Sequence, residues 1–311
     1  VSNKLKKGLN FDVLGDILET LRFRSSIFFY SDLAAPWGMS LSKEDFLRFH
    51  IALSGECIVG TDGPDTVIVS ESDIIMLPCG NSHWISDKPG RKLIPSERAG
   101  NACNLNKPLF QKGKITNRLM CGLVKFDTVI SHPVISALPE IMHFPMIDRS
   151  GPIWSVISLI DSELSRHNDT GNRIINRLTE VLFLQLLKNY ITENDNASLF
   201  LSALNDRRIH HALSLMHQKP EFNWSLSSLG EQVGMSRSTL VRRFQEVLGV
   251  TPMAYLTDWR VMKAYNLIKD TIIPLEKIAE TTGFASARTL NKTFQQHYGC
   301  TPRKLRQLQN L

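Results

Sequence analysis

Two stretches near the end of the chain carry side chains able to read nucleic-acid bases. In the first, Arg237, Ser238, Val241 and Arg242 lie opposite Leu240 and Phe244 in a helical pattern. In the second, Arg288, Thr289, Asn291 and Lys292 lie opposite Leu290 and Phe294. Arg and Lys pair with guanine O6 and N7, and Asn pairs with adenine N6 and N7. Some of these groups will hold phosphates only, which positions a protein without reading sequence. A single exposed basic residue is ordinarily just solvated. Two basic and polar faces at matching positions call for a common cause.

That cause is an internal repeat. Leu226, Leu229, Gly234, Ser236, Leu240 and Phe244 match Leu275, Ile278, Gly283, Ser286, Leu290 and Phe294, with one extra residue in the second turn. The tails agree as well, Gly249-Val-Thr-Pro252 against Gly299-Cys-Thr-Pro302. Two copies cannot build a solenoid, so local chemistry decides. Each copy reads as helix, tight turn, helix. The glycine takes the left-handed conformation that stops a helix. The serine stands where an N-cap should, ready to accept from free N–H groups of the next turn. Leu and Phe four residues apart then pack inward on one face of the second helix. This is a helix-turn-helix pattern, in which the second helix enters the major groove.

Between the copies, Pro252 suits a first helical turn. Met253, Tyr255, Leu256, Trp259, Met262, Ala264 and Leu267 then support one long amphipathic helix. At about 27 Å it can hold two recognition helices about one DNA turn apart. An earlier helix is expected over about 206–217. Charge agrees with this division. Residues 201–311 hold 15 Lys and Arg against 8 Asp and Glu, whereas residues 1–200 hold 21 against 22. The basic excess sits wholly in the last third, which points to a polyanionic partner for that part alone.

These residues resemble the AraC/XylS family of transcription regulators over about residues 205–309. The most specific signature is Ile278-Ala279-x-x-x-Gly283-Phe284-x-Ser286, followed by Leu290, Phe294, Gly299, Thr301-Pro302 and Arg306. The resemblance implies two recognition helices of one chain in successive major grooves. It carries base or phosphate contact onto Ser238, Val241, Arg242, Arg288, Thr289, Asn291 and Lys292. It also implies activation as the commoner regulatory outcome.

Residues 27–147 read as mainly β. Expected strands are Ile27–Tyr30, Phe46–Leu53, Cys57–Gly60, Thr66–Val69, Asp73–Leu77 and Leu119–Phe126, separated by Gly, Asp and Pro turns. Many short strands at this spacing point to a jelly roll or barrel. Gly55-Glu56 and Leu77-Pro-Cys-Gly-Asn-Ser-His83 resemble cupin half-motifs, and 46–89 looks like the cupin-type sensor domain of one AraC-family branch. Metal cupins gather two or three His and a carboxylate. Here His50 and His83 stand alone, too few for a metal site, so no metal and no cofactor is expected. Trp37, His50 and His83 are the candidates for contact with a small-molecule ligand. Five widely spaced cysteines without C-x-x-C argue against a disulfide framework. Cys103 and Cys121 remain open as redox- or metal-sensing thiols or as structural ones.

The expected architecture is α+β with two domains. Residues 1–200 form a cupin-like β-barrel (jelly roll) with a helical pair at about 151–193. Residues 201–311 form an all-α domain with helix-turn-helix units at about 226–248 and 275–297. The helical pair is apolar on more than one face, which points to dimerisation. The start of the chain reads as an amphipathic helix through Phe11, Leu14, Ile17, Leu18 and Leu21 and not as a signal peptide, so a cytoplasmic location is expected. Expected partners are double-stranded DNA, a small-molecule effector, a second copy of the chain and RNA polymerase, with no membrane. Two rivals stay open: a metal-dependent cupin enzyme with a DNA-binding appendage, and a constitutive DNA-binding dimer without ligand.

Overall fold

The computed structural model describes residues 13, 15–16, 20, 23–63, 66–104, 109–126, 138–166, 169–193 and 206–309. Most of the expected N-terminal helix, the side chain of Cys103 and the expected linker after Glu193 lie outside the described residues.

One compact unit comprises Phe23–Phe126 and Leu138–Asp195. Its described strands are β1 (Phe23–Leu33), β2 (Gly38–Leu41), β3 (Leu47–Ser54), β4 (Cys57–Gly60), β5 (Thr66–Val69), β6 (Ile74–Leu77), β7 (His83–Ser86), β8 (Ile94–Pro95), β9 (Asn117–Phe126) and β10 (Met142–Phe144). They form two sheets, ordered β1-β9-β3-β6-β10 and β5-β4-β7-β2-β8. This is a jelly roll of two facing sheets, with no strand pairing between them among the described residues. Four short strands, β2, β7, β8 and β10, of two to four residues each, were not expected. A helix, α1 (Ser96–Asn104), lies between β8 and β9.

Register sorts β3 into two faces. Arg48 lies opposite Leu77 and Leu123, and His50 lies opposite Ile75 and Cys121. Opposed residues share a face of the sheet. Arg48, His50 and Ala52 therefore point inward, where Ala52, Ile75, Leu77, Leu119 and Cys121 meet Cys57, Val59, Val69 and Ile85 of the other sheet. Helices α2 (Pro152–Arg166) and α3 (Asp169–Glu193) pack together outside. At one edge of the sheet the α3 residues Asn176 and Thr179 bond to Ser26 of β1. At the other edge Tyr190 meets Phe144 of β10. The helix thus crosses the outer face from edge to edge, which is why Leu47–Ala52 are buried without alternation.

The other unit contains Asn196–Leu311 and, in place of the boundary expected at residue 200, takes in the N-terminal segment as well. Among the described residues there, Asp16 accepts from His217 and Lys263, and the Thr20 carbonyl accepts from Asn266. The helices are α4 (Arg207–Gln218), α5 (Leu226–Val233), α6 (Arg237–Leu248), α7 (Pro252–Asp270), α8 (Leu275–Thr282), α9 (Ala287–Tyr298) and α10 (Pro302–Gln309). Trp259 of α7 is fully buried and stacks on His217 of α4 at 3.8 Å. Further along α7, Val261, Ala264, Tyr265 and Ile268 pack against Ile278, Ala279, Leu290 and Phe294 of the second helix pair.

Candidate nucleic-acid interface

Each recognition helix begins and ends for local reasons. α5 stops at Gly234, with φ 66°, and α6 starts at Ser236, whose hydroxyl accepts from the Thr239 N–H. The second unit repeats this with Gly283, φ 80°, and Ser286 accepting from Thr289. The two glycines differ in their surroundings. A Cβ on Gly234 would meet nothing within 4 Å, whereas one on Gly283 would lie 2.3 Å from the Pro220 carbonyl oxygen. Gly234→Ala is therefore expected to lower stability by about 1 kcal/mol, the strain of the left-handed conformation alone. Gly283→Ala should lower it by at least about 2 kcal/mol, because backbone must move. Urea unfolding of both variants checks this, and equal losses would contradict the close approach.

The faces left outward match the sequence reading in most positions. On α6, Leu240, Phe244, Val247 and Leu248 are buried. Arg237, Ser238, Val241, Arg242, Gln245 and Glu246, with Leu226, line an open depression of about 660 Å³ on the opposite side. On α9, Leu290 and Phe294 are buried, Arg288, Thr289 and Lys292 are exposed, and Asn291 is half-buried. Two hydroxyls are already engaged at the caps. Ser238 Oγ lies 3.1 Å from Ser236 Oγ, and Thr289 Oγ1 lies 3.0 Å from Ser286 Oγ. Gln245, Gln295 and Gln296 are exposed on the same faces and were missed. Gln245 and Gln295 stand seven residues beyond Ser238 and Arg288, and that two-turn spacing could have found them.

The two faces differ electrostatically. Arg242 is paired with Glu246 at 2.7 Å, and Arg243 with Asp206 at 3.0 Å and with Glu246 at 3.4 Å. α9 has no carboxylate, and neither Arg288 nor Lys292 forms an ion pair among the described residues. Arg306, the family-signature arginine near the chain end, is structural here. It donates to the carbonyls of Ile268 and Ile273 and ties α10 to the end of α7.

In the β-unit the structure brings His50 and His83 together, and Trp37 belongs to the same core as Cys121. Trp37 is buried in the core, and its indole N–H donates to Asn117. His50 and His83 meet across the two sheets, Nε2 to Nε2 at 2.9 Å. Their tautomers follow from their partners. His83 Nδ1 lies 3.0 Å from the Asn81 carbonyl, which can only accept, so Nδ1 carries the proton. His83 Nε2 must then accept from His50 Nε2–H, and His50 Nδ1 accepts from the Cys121 thiol at 3.3 Å. All four ring nitrogens are engaged. Burial holds His50 well below the usual imidazole value and His83 down at about 4, and pushes the Cys121 thiol up to about 12. The chain is neutral throughout. Among the described residues no group of three or more His, Cys, Asp or Glu could hold a metal ion.

Comparison with known proteins finds a family for each part of the chain. Residues 12–192 match the cupin family, and residues 229–308 match a helix-turn-helix domain family. The chain is 27% identical to the HTH-type transcriptional regulator AlkR of Acinetobacter baylyi, over 95% of this chain and 99% of that one. It is 26% identical to the HTH-type transcriptional regulator MtrA of Neisseria gonorrhoeae, over 95% and 98%. A crystallised regulator from Chromobacterium violaceum with an AraC-type DNA-binding domain is 30% identical, covering 34% of this chain and 96% of that one, with a TM-score of 0.33.

Proposed function

Since the chain belongs to the AraC-type transcription regulators with an N-terminal cupin domain, we propose that it sets α6 and α9 in successive major grooves of one operator and activates transcription in response to a small molecule held by the β-unit. The observation carrying this reading is the duplicated pair of capped recognition helices joined by one 19-residue helix. At about 1.5 Å per residue that connector is about 28 Å long, close to one turn of DNA. On this reading the β-unit binds and does not catalyse, and the protein works in the cytoplasm beside RNA polymerase. No described helix is long and apolar enough to cross a membrane. The test is selection of bound sequences from a random duplex pool at fixed salt. Two sequence blocks about one turn apart are expected. Recovery of no consensus, with binding that merely fades as salt rises, would overturn the two-groove reading.

The same proposal includes a dimer. Ile174, Val181 and Leu184 are exposed along one side of α3, seven and three residues apart, on the face turned away from the sheet. An apolar stripe of this kind suits a second copy of the same helix. Val181→Asp combined with Leu184→Asp is expected to convert a dimer to a monomer in sedimentation velocity at micromolar concentration. A wild-type protein that sediments as a monomer there would sink the dimer.

A further inference from the structure

Arg48 is a buried guanidinium with open donors. Its side chain is 4% exposed. Nη2 lies 3.4 Å from a Glu44 carboxylate oxygen, long for a charge-assisted contact. Nε and Nη1 have no acceptor. Three of the five guanidinium N–H groups are therefore desolvated and unpaired. Proteins rarely leave a buried charged donor in that state unless another molecule supplies the acceptor.

The surroundings narrow what that molecule is. Arg48 stands two residues before His50 on the inner face of β3. It faces Leu77, where β6 ends and the turn to His83 begins. That turn folds back over the start of β3, for the Glu44 N–H donates to the Gly80 carbonyl. Within it Asn81 Oδ1 is a second buried polar atom without a partner. His50 and His83 are neutral and saturated, so they offer neither charge nor a free nitrogen. Glu44 and Glu97 are the carboxylates whose charge Arg48 feels. One cation, two neutral imidazoles and two flanking carboxylates suit a monoanion and disfavour a dianion.

We propose that this end of the inner face binds a small monocarboxylate, its oxygens accepting from Nε and Nη1 of Arg48. The proposal rests on the effector-responsive reading above and names the chemistry of the effector. The test uses full-length protein and calorimetry with acetate, butyrate, hexanoate, octanoate and benzoate, each beside its primary amide, and with inorganic phosphate. At least one acid is expected to bind, its amide at least tenfold more weakly, and phosphate not at all. Arg48→Gln should weaken the acid at least tenfold without lowering the melting temperature of the free protein, because it removes an unpaired buried charge. Should that variant fail to fold, Glu44→Gln decides, since removing the competing carboxylate should tighten the acid several-fold. Acid and amide binding alike, phosphate binding in place of the acids, undiminished binding to Arg48→Gln, or no binding by any acid would each overturn the site. Retention of operator DNA is followed in parallel. An acid that binds and leaves retention unchanged would keep the site and overturn effector control, whereas failure of the site leaves the two-groove reading intact.

Discussion

Arg288→Ala is expected to weaken binding to a selected operator by roughly 1–3 kcal/mol, about 5- to 150-fold, and to relax preference at one position of one half-site. The reason lies in the unequal electrostatics of the two recognition helices. Arg288 is exposed in the first turn of α9 and forms no ion pair among the described residues. It has no carboxylate to leave before pairing with guanine O6 and N7. Arg242 on α6 is held by Glu246 and must leave that carboxylate, or carry it towards the phosphates. Releasing it should help: Glu246→Gln is expected to tighten binding and to steepen the dependence of log affinity on log salt by about one phosphate contact, a slope change of about 0.9. Fluorescence anisotropy at several salt concentrations measures both effects. If Arg288→Ala keeps wild-type affinity and sequence preference, α9 does not read bases through that arginine. If Glu246→Gln leaves the salt slope unchanged, the Arg242 pair does not restrain the first helix.

What could be read in the sequence follows the range of the forces involved. Gly234, Ser236, Gly283 and Ser286 act within four residues of themselves, so the caps and turns were visible from spacing alone. Thr289 shows the limit, because its hydroxyl serves the cap it follows. The β-unit was legible as alternating segments but not as a site. His50 and His83 are separated by 33 positions and meet only because the two sheets face each other. Arg48 gave no signal, since a charged residue in an alternating strand normally points to solvent. Here α3 covers the outer face of the sheet and the second sheet covers the inner one, so β3 has no solvent side. Trp37 looked like a binding-site aromatic. Only the structure shows its N–H committed to Asn117 across 80 residues.

The neutral chain from Cys121 to Asn81 makes the protein labile to acid. In the unfolded chain His83 takes up a proton as pH falls through about 6.5, whereas in the folded unit it does so only near 4. Between those values the unfolded state binds more protons, so stability falls as pH falls and is level above about 7. At 1.36 kcal/mol per unit, His83 alone should remove about 2 kcal/mol between pH 7 and pH 5, and roughly 3 kcal/mol by pH 4. His50 is displaced in the same direction and adds to the loss. The structural reason is that both Nε2 atoms share one proton. A second proton forces the chain to reverse, with His50 donating through Nδ1 towards the Cys121 sulfur, and leaves a cation in the core close to Arg48. Urea titrations at pH 7, 6 and 5, followed by tryptophan fluorescence, should show the midpoint falling with each step. In His83→Gln the fall should be smaller, because the depressed imidazole is gone while an amide oxygen can still accept from His50. An acid slope unchanged in His83→Gln would mean that His83 is already protonated in the folded protein, and the tautomers assigned along the chain would have to be reversed.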